Sequence, residues 1–382
     1  MQTVKKKRDR AANLEKEQIL NPGRVKKKKK ARLKRVLLIV LLSIVSIVII
    51  GAIVFQIIRM VGRSNLAAKA ATAAPVLEAL PYTETVTDEE KEAVKWQEGW
   101  VKYKDKIWSY NKDILTFLIM GIDKSGDARE VAEGTNGGQA DGLFLLVINP
   151  HRKSIQIFAI NRNAMTDVDV YNEDGAYVRT VKSQICTQHG FGNGVEESCE
   201  YQKKTVERFL YQLPIHGYAA INMTSVPTIN DAVGGVDVKV LEDMTKWDKS
   251  LVKDAEVHLE GDTAYVYTTR RDTKIAGSAD GRLKRQKQFL TAFMAKAVQK
   301  VKSNPTSAID LYNALTSQMT TDVTADEVMY LAPLAAGYHF DSDILTMEGE
   351  TVLGDDGFEE FHADEEALYR QILEIFYEPV ET

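Results

Sequence analysis

The stretch Gly137–Asn163, GGQADGLFLLVINPHRKSIQIFAINRN, holds two apolar runs of strand length joined by the polar turn NPHRKS. So short a connection predicts an antiparallel hairpin. Both runs, like DILTFLIMGID at Asp113–Asp123, are apolar almost without a break. Such strands are buried on both faces, so helices must cover the sheet on each side. In an antiparallel hairpin the start of one strand and the end of the next share a sheet edge. Asp141 and Arg162 are therefore expected side by side, with Asp123 joining them if its strand runs suitably.

The helices follow from spacing. YQKKTVERFLYQL sets Val206, Phe209, Leu210 and Leu213 at helical intervals, and LKRQKQFLTAFMAKAVQKV aligns Phe289, Leu290, Phe293, Met294, Ala297 and Val301 in one stripe. VPTINDAVGG ends in glycines suited to a helix C-terminus. Strands are expected at Gly217–Met223 and in GVDVKV. TADE at Thr324–Glu327 is a capping box, and DEEALYRQILEIFY is a terminal amphipathic helix. Upstream, a helix starts at Asp88, and Trp100–Tyr110 alternates as a hairpin about a Lys-Asp turn. Gly354–Gly357, GDDG, reads as a turn. The pattern is that of a layered α/β domain.

Charge divides the chain. Residues 1–35 hold fifteen Lys/Arg against three acids, a formal +12 that leaves the remainder near −17. Val36–Ile58 follows without a charge for 23 residues. At about 1.5 Å per residue this crosses a hydrocarbon core of roughly 30 Å. Basic residues crowd its N-terminal side, so the expected topology is a single-pass cell-membrane protein, N-terminus cytoplasmic and acidic bulk extracellular. A lysine run beside a span fixes orientation and touches anionic membrane lipid, so no nucleic-acid partner is expected. Ala67–Thr87 reads as a stalk. Outside the cell, Cys186 and Cys199, which frame one Gly-containing loop, are expected to form a disulfide.

Two carboxylates without a His/Cys cluster suit a hard cation such as Mg²⁺, or an acid/base pair as in glycoside hydrolysis. TTRRDTKIAGSADGRLKRQ gathers Arg270, Arg271, Arg282, Lys284 and Arg285 in one Gly-interrupted segment. Guanidinium forks suit phosphate oxygens. The same alternation also fits the solvated face of a helix.

Taken together, GID at Gly121–Asp123, QAD before the second strand, NRN after the third, INDAVGGVDV at Ile229–Val238 and the RRDT…GRLKRQ segment resemble the LytR-CpsA-Psr family of envelope phosphotransferases. The resemblance covers about residues 113–301. It implies an α-β-α sandwich around a central mixed sheet, preceded by one transmembrane helix. It divides the chain into a basic tail (1–35), a span (36–58), a stalk and helix (59–95) and a catalytic domain (96–382) whose residues 302–382 are a helical extension. Asp123 and Asp141 are the implied ligands of Mg²⁺ or Mn²⁺. Arg162, Lys182, Arg270, Arg271, Arg282, Arg285 and Gln286 are the implied pyrophosphate contacts, with Asp141, Arg162, Arg271 and Arg282 catalytic. The implied reaction moves a polyprenyl-pyrophosphate-linked glycopolymer, a teichoic acid or capsular chain, onto peptidoglycan. Gln139, Ala140, Gly142, Asn163 and Thr269 depart from the family's R-S-D-T, P-R-D and R-x-R patterns. A non-catalytic envelope-binding or regulatory protein and a polyprenyl-pyrophosphate phosphatase are the rival readings.

Overall fold

The computed structural model describes residues 22–69, 74–124, 130–131, 137–272, 278–304, 306–355 and 357–380. Most of the basic tail, residues 1–21, lies outside the described residues. Residues 1–58 and 59–382 form two units. Helix α1 (Pro22–Lys69) contains the apolar run. Its portion Ile44–Lys69, with a mean hydropathy of 2.5, is long and apolar enough to cross a membrane.

The second unit begins with α2 (Asp88–Val94), then the expected hairpin β1 (Trp100–Tyr103) and β2 (Lys106–Tyr110). Lys104 and Asp105 in its turn both have positive φ, 48° and 58°. That is the twist a two-residue hairpin loop requires. The central sheet follows with β3 (Leu115–Ile122), β4 (Ala140–Asn149) and β5 (Ser154–Ile160). A second hairpin, β6 (Met165–Tyr171) and β7 (Tyr177–Gln184), leads into α3 (Glu196–Phe209) and β8 (Gly217–Asn222). Then come α4 (Val226–Ala232), the pair β9 (Val236–Lys239) and β10 (Glu256–Leu259), α5 (Gly261–Thr269), α6 (Ser278–Ser303) and α7 (Ser307–Thr316). The last part holds β11 (Met319–Thr321), α8 (Ala325–Gly337), β12 (His339–Phe340), β13 (Leu345–Thr346), β14 (Gly349–Leu353), β15 (Glu359–Ala363), α9 (Glu365–Phe376) and β16 (Tyr377–Pro379).

Among the described residues the main sheet has the order β11-β8-β3-β4-β5-β12, with β13 also on β5. β3 is antiparallel to β4 and parallel to β8, so the sheet is mixed. Alternation along β3 sends Leu118 and Met120 to one face and Phe117 and Ile119 to the other. On the first face Val206 and Leu210 (α3 and its C-terminal end) and Leu368, Ile372 and Phe376 of α9 close the core. On the second, Leu283, Leu290 and Met294 of α6 and Tyr330, Leu331 and Ala335 of α8 lie against Phe144, Leu146 and Ile155. This is the α-β-α sandwich that two-sided apolar strands demand. Each fully buried Leu, Ile or Phe side chain contributes about 1.5–3 kcal/mol.

Two expectations need correction. The segment read as a stalk is packed: Leu77 lies fully inside the main core, and just before the segment Leu66 is 1% exposed against Phe117, Ile148 and Ile155. The segment read as a helical extension supplies β11, β12 and β13 to the main sheet and β16 to β2. Its polar, short strands carry little periodic signal.

The end of α1 is bound to the start of α8. A Cβ at Gly62 would lie 2.1 Å from the Asp326 carbonyl oxygen, so only glycine permits this approach. Asn65 Nδ2 donates to Asp326 Oδ2 at 2.8 Å. Lys69 Nζ donates to the Asp322 carbonyl and pairs at 2.8 Å with Glu327, whose side chain is 0% exposed. Glu327 also caps the helix by accepting from Thr324 N–H. Among the described residues Lys69 is the cation paired with this buried carboxylate, and removing it is strongly destabilising. Lys69→Met is therefore expected to lower unfolding free energy by about 3 kcal/mol, with Glu327→Gln restoring part of it, read by chemical denaturation of the full chain in detergent.

A second stability test concerns pH. His216 Nδ1 accepts from Thr116 N–H at 3.2 Å, and burial, aided by Lys203, pushes the imidazole down to about 4. His189, also buried, is pushed down to about 4. Unfolded, each titrates near ~6.5. Between those values the unfolded chain binds protons that the folded one excludes, so stability is lost as pH falls through this window. His216→Asn, which keeps an acceptor but cannot titrate, is expected to make that slope shallower by about one proton. Unfolding curves at stepped pH measure it.

Candidate functional site

The β4–β5 register pairs Leu143 with Ile160, and carried two residues further it sets Asp141 opposite Arg162. Arg162 Nη1 is 2.7 Å from Asp141 Oδ1. On the other side of Asp141, β3 pairs Gly121 with Gly142 but Ile122 with Ala140. Asp141 is thus the extra residue of a β-bulge, a device that re-aims one side chain. Arg282, in the first turns of α6, brings Nη1 to 3.4 Å from Asp141 Oδ2. Burial raises the Asp141 carboxyl above its ordinary range, against the opposing pull of Arg162 and Arg282. Asp123, exposed at the end of β3, donates its N–H to the Gln139 carbonyl at 2.9 Å, which ties the first and second strand ends together.

Arg162 and Arg282 line a cavity of about 580 Å³ with Gln139, Asn163, Lys182, Arg271 and, from β15, Glu359 and Glu360. Lys182 reaches the cavity from β7 with its ammonium paired to Asp167 at 2.9 Å. Arg271 Nη1 lies 3.5 Å from Ser278 Oγ. Arg270 stacks over Tyr265 at 5.5 Å, outside the cavity lining. Arg285 and Gln286 do not meet their expected role. Arg285 is 1% exposed, donates to the Tyr267 and Arg270 carbonyls and pairs with Glu242 at 2.8 Å. Gln286 donates to the Thr268 carbonyl at 3.2 Å. Both are taken up by the C-terminal end of α5, whose free carbonyls they satisfy, whereas Arg282 reaches Asp141. The intervening loop 273–277 lies outside the described residues.

The expected disulfide is absent: Cys186 and Cys199 are free, buried thiols. Cys186 receives Arg162 Nη2 at 3.4 Å, beside the cavity. Cys199 turns inward, 3.8 Å from His189 Nε2. His189 in turn donates from Nδ1 to the Gly138 carbonyl at 3.0 Å, so the two cysteines hold opposite sides of the loop that carries Gln139. Gly138 has φ of 78°, a conformation that excludes most side chains there. Burial raises both thiols above the ordinary range.

Sequence reasoning passed over two contributors. Gln139 Oε1 accepts from Arg162 Nη2 at 2.9 Å, fixing the guanidinium from the side opposite Asp141. Glu359 arrives from the β14–β15 hairpin, where Asn163 Nδ2 reaches its Oε2 at 3.4 Å and Gln184 Nε2 its carbonyl at 2.7 Å. Its only signal was a polar EEFHA run beyond the matched motifs. Among the described residues no three His, Cys, Asp or Glu gather to hold a metal. Asp123 and Asp141 are hard oxygen donors of the kind that a divalent cation takes, and both Asp141 oxygens are here engaged by Arg162 and Arg282.

An edge with two carboxylates, three arginines and an open cavity is chemically suited to a polyanion such as pyrophosphate. The chain belongs to the LytR_cpsA_psr family, whose profile matches residues 79–371, well beyond the 113–301 that the motifs delimit. A relative from Bacillus cereus, named polyisoprenyl-teichoic acid–peptidoglycan teichoic acid transferase TagU, is 32% identical over 216 residues, 56% of this chain and 62% of that protein. The chain thus matches less than two thirds of that relative's length. Its fold is shared with a protein of Streptococcus agalactiae (TM-score 0.55, 20% identity, 69% of this chain and 86% of that one). It is also shared with TagT bound to LI-WTA (TM-score 0.51, 21% identity, 69% and 89%).

The different settings of two arginines make a testable contrast. Arg285→Ala strands buried carbonyls and is expected to cost about 2–4 kcal/mol of stability. Arg271→Ala is expected to leave the melting temperature within about 2 °C while weakening pyrophosphate binding, followed by calorimetry.

Proposed function

We propose that this chain is a membrane-anchored phosphotransferase that moves a polyprenyl-pyrophosphate-linked glycopolymer, of teichoic acid or capsular type, onto peptidoglycan. The observation that carries the reading is the pair Arg162 and Arg282, both lining a cavity of about 580 Å³ and both anchored on the buried Asp141 carboxylate. The curated relatives named as teichoic acid transferases favour the same substrates. A second feature supports a lipid-linked donor. Between the sheet and α6/α8, Ile119, Leu146, Leu283, Leu290, Met294 and Phe340 are only half-buried, leaving an apolar seam that starts next to Arg282. A prenyl chain would complete that seam's burial.

In this reading Arg162, Arg271 and Arg282 bind the pyrophosphate oxygens and offset the charge that builds on them as the phosphorus–oxygen bond breaks. Gln139 and Asp141 hold the Arg162 fork before substrate arrives, so little reorganisation is needed. Asp123 and Asp141 would hold Mg²⁺ or Mn²⁺, which would supply Lewis-acid charge neutralisation. A hydroxyl of peptidoglycan attacks phosphorus, and polyprenyl phosphate leaves. With the domain on the outer side, as this reading has it, a lipid-linked donor and a fixed wall acceptor are confined near it, and tethering raises its effective concentration there.

The test uses the full chain in detergent with a polyprenyl-pyrophosphate saccharide, Mg²⁺ and an uncrosslinked glycan. Covalent transfer is expected, falling by about 10²–10³-fold in Asp141→Ala and Arg162→Ala. Binding without turnover in the parent chain would favour the regulatory reading, and release of inorganic phosphate alone the phosphatase.

A further inference from the structure

Part of the cavity wall comes from the β14–β15 hairpin, which no motif delimits. Phe358, 66% exposed, and Glu359 and Glu360 line the same cavity as Arg162, Arg271 and Arg282. The hairpin is fastened there by main-chain bonds: Phe361 N–H donates to the Asn163 carbonyl at 2.9 Å, and Gln184 Nε2 reaches the Glu359 carbonyl. Two walls of opposite character divide the cavity. The cationic wall suits phosphate, whereas an exposed aromatic ring beside a carboxylate suits a neutral, hydroxyl-rich ligand, which an acid would not repel.

Of the two acids, Glu360 is engaged by His362 Nε2 at 3.1 Å. Glu359 instead turns to Asn163, the residue directly after Arg162, and takes only a 3.4 Å contact from its amide. Asn163 stands where the family pattern P-R-D carries an acid, so this chain has moved a carboxylate from strand end to hairpin without removing it from that corner. Lys182 and Arg208 have already committed to Asp167 and Asp169. Asp141 is committed to two arginines, and Glu359 stands on the cavity wall with no Lys or Arg paired to it among the described residues.

We infer that the β14–β15 hairpin is the acceptor-saccharide side of the site, and that Glu359 is the base that takes the proton from the attacking hydroxyl. The inference rests on the phosphotransferase reading. Phe358 offers a face for a sugar ring. As the acceptor oxygen bonds to phosphorus, its proton passes to the Glu359 carboxylate. The bond from phosphorus to the bridging oxygen breaks with its electron pair, which leaves on the polyprenyl phosphate.

The experiment compares the full chain with Glu359→Gln, an isosteric change that keeps the main-chain contact to Gln184. Glu359→Gln is expected to melt like the parent and bind inorganic pyrophosphate with the same affinity, yet to lose transfer to an uncrosslinked glycan by about 10²-fold or more. Asn163→Asp introduced into the Glu359→Gln chain is expected to restore at least a tenth of the parent rate, because it returns a carboxylate to the same corner. Transfer by Glu359→Gln within threefold of the parent overturns the inference and leaves the phosphotransferase reading standing. Loss of transfer that Asn163→Asp fails to recover also overturns it, since position and charge would then not be what matters. No transfer by the parent chain overturns the reading beneath it, and the inference with it.

Discussion

The pairing of β4 with β5 in one register is the constraint on which the site depends. Slipping it by a single residue would send every inward side chain of a strand to the opposite face and part Asp141 from Arg162. Because both faces of these strands are apolar and covered, the register is held by the whole core and not by the ion pair itself. The ion pair is weak evidence of stability, since desolvating two charges offsets most of their attraction. Its position explains it better: the core holds a charged edge in place for ligand binding.

That edge was legible because it lies at the ends of long, uniformly apolar strands. Asp141 and Arg162 follow from hairpin geometry alone, and Asp123 from the next strand. The bulge that aims Asp141 was not legible, since nothing in QADG distinguishes a bulge from plain extension. Arg285 and Gln286 were misread for a related reason: they share a segment and a helix face with Arg282, and nothing in the segment shows that the end of α5 lies against them with carbonyls to satisfy. The cysteines fit a disulfide by spacing, yet Cys186 lies behind Arg162 and Cys199 beneath His189. Loop length says nothing about which way a thiol turns.

Elements with exposed faces were the least legible. β7, β14 and β15 are polar and pair in local ribbons, with β6 alternating only briefly as TDVDV, so they lack the long apolar run that marks the core strands. These same ribbons build most of the cavity rim. Substrate-facing surface needs polar side chains, and polar strands are the ones that pattern reasoning overlooks.

The way the last sixty residues are used has a consequence for how the chain reaches its folded state. β11 lies at one edge of the main sheet and β12 and β13 at the other, while β16 pairs with β2, almost 270 residues earlier. During synthesis from the N-terminus, neither border of the sheet exists until most of the chain is made, and the first hairpin waits for residue 377. Such long-range closure is slow because loop entropy must be overcome before the contacts form. The second unit therefore matures late and all at once, and until then the strand edges and apolar faces of β3, β4 and β5 need shielding by other means.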